Sequence, residues 1–169
     1  MASSKSQVSG GRIPESFVSP FKRVQMEERN DDALACIATL TGKTLADVTK
    51  IAIELGYPPF GPAYVDDALI TRILGRFGLA GGEYQEVPSI EALPDVAILL
   101  VDYDESIAVG RHLVWHHVRA NGEQKSFSYI LDVGSWLDPK HHMTTDFKHL
   151  KLSPAWFIPV TPKAPTRGK

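Results

Sequence analysis

The sequence predicts an α+β domain in which a helical half comes first and a mostly antiparallel sheet follows. Two observations carry that expectation. Apolar residues recur at helical spacing up to Phe77, and beyond it the pattern changes to short apolar or alternating runs. Turn residues separate those later runs, and one separator, Asn121-Gly122, is a hairpin signal because both residues tolerate positive φ.

The elements follow in chain order. Residues 33–40 form a first helix, stopped by Gly42. Thr44 with Asp47 makes a capping-box-like start for a second helix over 45–55, which Gly56 ends. The segment Tyr57-Pro58-Pro59-Phe60-Gly61-Pro62 is a rigid loop, because its three prolines fix φ and withhold backbone donors. A third helix over 65–77 places Leu69, Ile73, Leu74 and Phe77 on one face, and Gly78 stops it. Strands are expected over 83–87, 96–102, 112–119, 127–131 and 156–160. Residues 1–20 and 161–169 read as disordered ends, leaving one domain over 21–160.

Composition narrows the function classes. With 169 residues, 43% of them hydrophobic, a single globular core is the default. The net charge of -2 supplies no global field for nucleic acid or an anionic membrane. Residues 1–20 lack the apolar core of a secretory signal and no run approaches a membrane span, so a cytoplasmic protein is expected, with signal-independent export or packaging in a virus particle left open. The single cysteine, Cys36, excludes an internal disulfide framework and a cysteine-based zinc cluster. The chain has no Walker loop, dinucleotide fingerprint or serine nucleophile elbow, and no cofactor is implied.

One motif carries chemistry. The stretch Asn30-Asp31-Asp32-Ala33-Leu34-Ala35-Cys36-Ile37-Ala38 resembles the nucleophile helix of papain-like cysteine peptidases of the bacteriocin-leader-processing type, whose pattern reads Asp-Cys-Gly-x-Ala-Cys/Ala-Leu/Ile-Ala. The following Leu40-Thr41-Gly42, with Val48 beyond it, is similar to small standalone members from bacteria and phages. The resemblance implies a papain-like fold, with the nucleophile on the helical half and a histidine with its orienting partner on the sheet half. Aligned on Ala35 to Ala38, however, the chain puts Asp32 at the nucleophile position. A carboxylate cannot become the polarisable thiolate that this chemistry uses.

The rest of the site follows from the same resemblance. Gln25 takes the place of the oxyanion glutamine, seven residues before Asp32 where the family has six, and an exposed glutamine is its plain alternative. His112 opens the strand His112-Leu113-Val114-Trp115-His116-His117-Val118 and matches the catalytic histidine. Alternation sets His112, Val114, His116 and Val118 on one face and Leu113, Trp115 and His117 on the other. The orienting acid is Asp132, by strand position, or Asp138, by its Asp-Pro dipeptide. Asp32 has the simpler reading of a helix N-cap, and Cys36 that of a buried, inert thiol. The pairs His116-His117 and His141-His142 point their members to opposite faces if extended, so neither chelates a metal by itself. Asp32, His112 and Asp132 could in principle gather round a divalent ion, but no metal is expected.

The reading that results is a papain-like domain that has lost its nucleophile and binds a peptide or protein segment in the substrate cleft, in trans. The alternative is an active cysteine peptidase or amide hydrolase using Cys36, or one whose cysteine was deliberately replaced by Asp32. A structural or packaging protein that reuses the fold is the remaining class.

Overall fold

The computed structural model describes residues 9–60 and 63–163. Helix α1, Asp32–Thr41, is buried along every residue from Ala33 to Leu40. Such a helix is a core element rather than an amphipathic surface one. Gly42 ends it in the left-handed region at φ 69°, where only a residue without Cβ sits freely, and the Lys43 N–H donates back to the Ala38 carbonyl. Helix α2, Leu45–Glu54, starts as expected, with the Thr44 hydroxyl accepting from the Asp47 N–H at 3.1 Å. Helix α3, Asp67–Arg76, begins two residues later than the sequence suggests, because the Asp66 carboxylate caps it by accepting from the Leu69 N–H at 2.8 Å. Its buried stripe is Ile70, Ile73 and Leu74, with Leu69 and Phe77 at its half-buried margins.

After α3 the chain forms β1, Leu79–Ala80, and β2, Gln85–Glu86. It continues with β3, Val96–Asp104; β4, Val109–Val118; β5, Phe127–Leu131; and β6, Met143–Thr144. The last strands are β7, Trp156–Pro159, and β8, Thr161–Pro162. Six of these make one antiparallel sheet in the order β2-β7-β3-β4-β5-β6, and β1 pairs with β8 apart from it. The strand expected over 83–87 shrinks to Gln85–Glu86, an exposed edge that pairs only with Trp156 and Phe157. The β4–β5 hairpin is present, but its loop is longer than a two-residue turn. It closes through a bridge between Asn121 and Gln124, with Gly122 at φ 59°.

Both faces of the sheet are covered. Ile98, Val114, Tyr129, Leu131 and Ile158 pack beneath the three helices. Leu99, Leu113, Trp115 and Ile130 face the other way, under Phe147, Leu150 and Ala155. The alternation expected along 112–118 thus holds, with Val114 on the helical side and Leu113 and Trp115 opposite. Among the described residues no helix is long and apolar enough to cross a membrane.

The ends depart from the sequence reading. Residues 9–20, expected to be disordered, lie along β5. The Gly10 N–H donates to the Thr145 carbonyl and the Ser128 N–H to the Gly10 carbonyl, both at 2.8 Å. Phe17 sets its ring edge against Phe127 and Tyr129, and the Ser19 hydroxyl meets the Tyr129 hydroxyl at 2.5 Å. Low local propensity made this segment read as a tail. It is ordered by tertiary contacts, since β6 pairs only with Ile130 and Leu131 and leaves the earlier part of β5 open. Residues 161–162, placed in the other expected tail, form β8, while 164–169 lie outside the described residues.

Candidate functional site

The start of α1 meets β4 at a cleft of about 450 Å³, whose lining includes Asp32, Tyr84, Leu100, Arg111, His112 and Trp136. Asp32 is the first residue of α1, and the N-cap is Asp31 rather than Asp32. Asp31 makes no side-chain cap; its Oδ2 turns back to accept from the N–H groups of Glu27 and Glu28 at 3.2 and 3.0 Å. Asp32 is therefore left to face the sheet.

Asp32 Oδ2 accepts from the His112 backbone N–H at 2.6 Å and lies 3.0 Å from His112 Nδ1. An ionised carboxylate only accepts, so the network assigns the proton to Nδ1. Burial pushes the Asp32 carboxyl up, but the His112 hydrogen bonds and charge outweigh it and hold the group below its ordinary value. The other ring nitrogen, Nε2, is 2.6 Å from the Tyr84 hydroxyl. Burial, together with the carboxylates of Asp67 and Asp32, drives the Tyr84 phenol well above its ordinary value, so it stays neutral and donates to Nε2. The result is a chain of Tyr84, His112 and Asp32 in which each polar atom of the imidazole has a partner.

Two candidates for orienting His112 are elsewhere. Asp132 is fully buried, and both its oxygens accept from Arg111 Nη1, at 2.8 and 2.6 Å. Its Oδ1 also accepts from the Gly134 N–H at 3.1 Å, and the same Arg111 gives its Nε to Asp102 at 2.6 Å. The reason is strand parity. Continuing the register that pairs Val114 with Leu131 sets Asp132 beside Leu113, on the opposite side from His112. Asp138 is exposed and caps the short turn Pro139–His141 by accepting from the Lys140 N–H at 3.3 Å.

Four further expectations resolve. Gln25 is exposed and its Oε1 accepts from Arg23 Nη1 at 3.3 Å, so it is a surface residue rather than an oxyanion donor. Cys36 lies one turn inside α1 with no exposed surface, and burial, reinforced by Asp32 and Asp132, pushes its thiol well above the ordinary value. His116 Nδ1 contacts the Tyr129 hydroxyl at 2.8 Å and His117 Nδ1 the Ser128 hydroxyl at 2.7 Å, so both serve packing of the sheet. The trio Asp32, His112 and Asp132 is divided by Arg111, and among the described residues no three His, Cys, Asp or Glu side chains gather as a metal-binding set.

Sequence reasoning missed Tyr84, Arg111 and Trp136. Trp136 is 63% exposed over the cleft, with the Arg111 guanidinium 5.9 Å from its ring centroid. The sequence carries no signal for Tyr84 because it reaches His112 from a separate segment, 28 residues away. No protein-family model matches the chain, and no curated protein matches it.

Proposed function

We propose that this chain is a papain-like domain whose cleft binds a peptide or protein segment and performs no thiol chemistry. The observation that carries the proposal is the Asp32 carboxylate at the first turn of α1, held by both the backbone and the ring of His112. A helix start facing a histidine across a cleft is the setting in which a thiolate would be stabilised. Asp32 fills that place with a charged group whose Oδ2 is held by His112, and that forms no acyl intermediate of the thioester kind.

Support for peptide binding comes from the rest of the lining. Tyr64 and Trp136 stand 69% and 63% exposed at the cleft, a cost in solvated apolar surface that a bound segment removes. The reading through Cys36 has its full burial and raised pKa against it.

The test is the pair Asp32→Cys and Asp32→Cys/His112→Ala, assayed beside the unaltered chain with a thiol-reactive probe and a general peptide panel. Asp32→Cys should gain rapid labelling near neutral pH and hydrolysis of some peptides, and the added His112→Ala should remove both. The unaltered chain should bind peptides from the panel without cleaving them. Hydrolysis by the unaltered chain, or an Asp32→Cys thiol no more reactive than a free one, would overturn the proposal.

A further inference from the structure

Histidines adjacent in sequence form no chelate in this chain, but the fold makes a pair that the sequence does not show. His141 closes the short turn Pro139–His141 ahead of β6, and His149 lies in the loop that follows β6. Their rings stand with centroids 5.5 Å apart at an interplanar angle of 45°. The chain has 6 histidines, and each of the others gives a ring nitrogen to a hydrogen bond: His112 to Asp32 and Tyr84, His116 to Tyr129, His117 to Ser128, and His142 to the Leu137 carbonyl. Among the described residues the rings of His141 and His149 have no such partner. His149 is exposed and His141 half-buried.

Two imidazoles that share one tetrahedral ion, each nitrogen about 2.0–2.1 Å from it, set their ring centroids about 5 Å apart. The pair is therefore within a small side-chain adjustment of chelating distance. Both residues also sit on anchored backbone. The His141 N–H donates to the Asp138 carbonyl at 2.9 Å, and the Asp138 carboxylate caps the same turn through the Lys140 N–H. His149 stands between Phe147 and Leu150, both buried against the sheet, with the Leu150 N–H donating to the Phe147 carbonyl at 3.0 Å. Little order is lost when groups held in this way bind a common ligand. The flanking charges offset one another: exposed Lys140 and Lys148 oppose a cation, and exposed Asp138 and Asp146 on the same two segments favour it.

We propose that His141 and His149 together bind a late first-row divalent cation of the zinc or copper type, with water in its remaining positions. Imidazole suits these ions, whereas magnesium and calcium take oxygen ligands. No third His, Cys, Asp or Glu joins the pair among the described residues, so the site is open and the ion exchangeable. The ion clasps the two flanks of β6, an edge strand that pairs only with Ile130 and Leu131. Because it binds the folded chain, it raises stability by mass action. Neither histidine lines the cleft of Asp32 and His112, and the proposal does not rest on the peptide reading.

The test titrates the full chain, stripped of metal, with Zn²⁺, Cu²⁺ or Mg²⁺ alone, followed by calorimetry and, for Zn²⁺ and Mg²⁺, by the ring nitrogen shifts of the histidines. Zn²⁺ should bind one per chain, shift the His141 and His149 rings together and raise the thermal midpoint. Cu²⁺ should bind more tightly than Zn²⁺, and Mg²⁺ should leave both rings unmoved. His149→Ala, a change at an exposed position, should weaken Zn²⁺ by about tenfold or more, and His141→Ala should do the same. His142→Ala should bind Zn²⁺ as the unaltered chain does, since the Leu137 carbonyl already holds that ring. Should His141→Ala prove unfolded, His149→Ala decides by itself. Zn²⁺ that fails to saturate at millimolar concentration, that shifts one ring without the other, or that binds His149→Ala as before would each overturn the proposal, as would binding lost with His142→Ala.

Discussion

Asp32 and His112 show how one residue's environment decides what a motif means. The carboxylate is held below its ordinary value by His112 despite burial, so the folded state releases its proton more readily than the unfolded chain, whose value is about 3.9. Its stabilising contribution is complete above that value and is lost as pH falls through the lower folded one. Asp32→Asn should therefore cost about 1–3 kcal/mol at pH 7, in the range of a hydrogen bond to a charged group. The cost should shrink at an acid pH below that lower folded value. Denaturant titrations of both proteins at the two pH values measure it, and an unchanged gap would show that the carboxylate's charge is not what His112 holds. The sequence singled out Asp32 and His112, each by its position in a motif, but read Asp32 most simply as a helix N-cap, and the fold pairs the two instead. The sequence could not place Tyr84, whose contact depends on how the segment after α3 crosses the end of the sheet.

At the scale of elements, the segment around Gly10 is the instructive case. A Cβ at Gly10 would lie 1.8 Å from the Ser128 carbonyl oxygen and 2.9 Å from the Phe147 ring. Backbone cannot yield at that distance, so any side chain there displaces the segment from β5. Gly10→Ala should cost about 1–3 kcal/mol, typical of overpacking. It should also speed amide exchange at Ser128 while leaving α1 protected, as hydrogen-exchange mass spectrometry would resolve. Serine and glycine in this stretch read as disorder because they lack local propensity and apolar pattern. In the fold the same glycine is what permits a close backbone approach. The helices, by contrast, were legible to within two residues, since the Thr44 cap and the stop at Gly42 act locally, whereas the Asp66 cap was not read.

For the molecule as a whole, an ion network with one buried member, Asp132, joins the sheet's hairpins. Arg111 at the start of β4 binds Asp102 of β3 and Asp132 just beyond β5, and Arg23 of the N-terminal segment donates to the backbone carbonyls of Asp132 and Gly134. The Asp132 side chain has no solvent exposure, so removing its partner leaves a buried charge without compensation. Arg111→Ala should destabilise the protein by about 3–5 kcal/mol. The paired change Arg111→Met with Asp132→Leu should recover most of that loss, because an apolar pair needs no desolvated charge. Thermal and denaturant unfolding of the single and double variants would decide, and equal stability of Arg111→Ala and the unaltered chain would refute the network's role. Asp132 looked catalytic in sequence because its strand position resembled that of an orienting acid. Only the parity of β5 against β4 assigns it to Arg111 instead of His112.

The sequence by itself determined the α+β order, the three helices, the Thr44 cap and the Gly42 stop, and the alternation along β4. Each of these depends on residues close in the chain, or on a pattern that repeats along one element. Tertiary structure alone decided which acid faces which base, which tyrosine completes the histidine's hydrogen bonds, and whether a glycine-rich end packs. Those outcomes depend on strand register and on crossings between segments far apart in sequence. A shift of one residue in register moves a side chain to the other face of the sheet, and local composition carries no record of it.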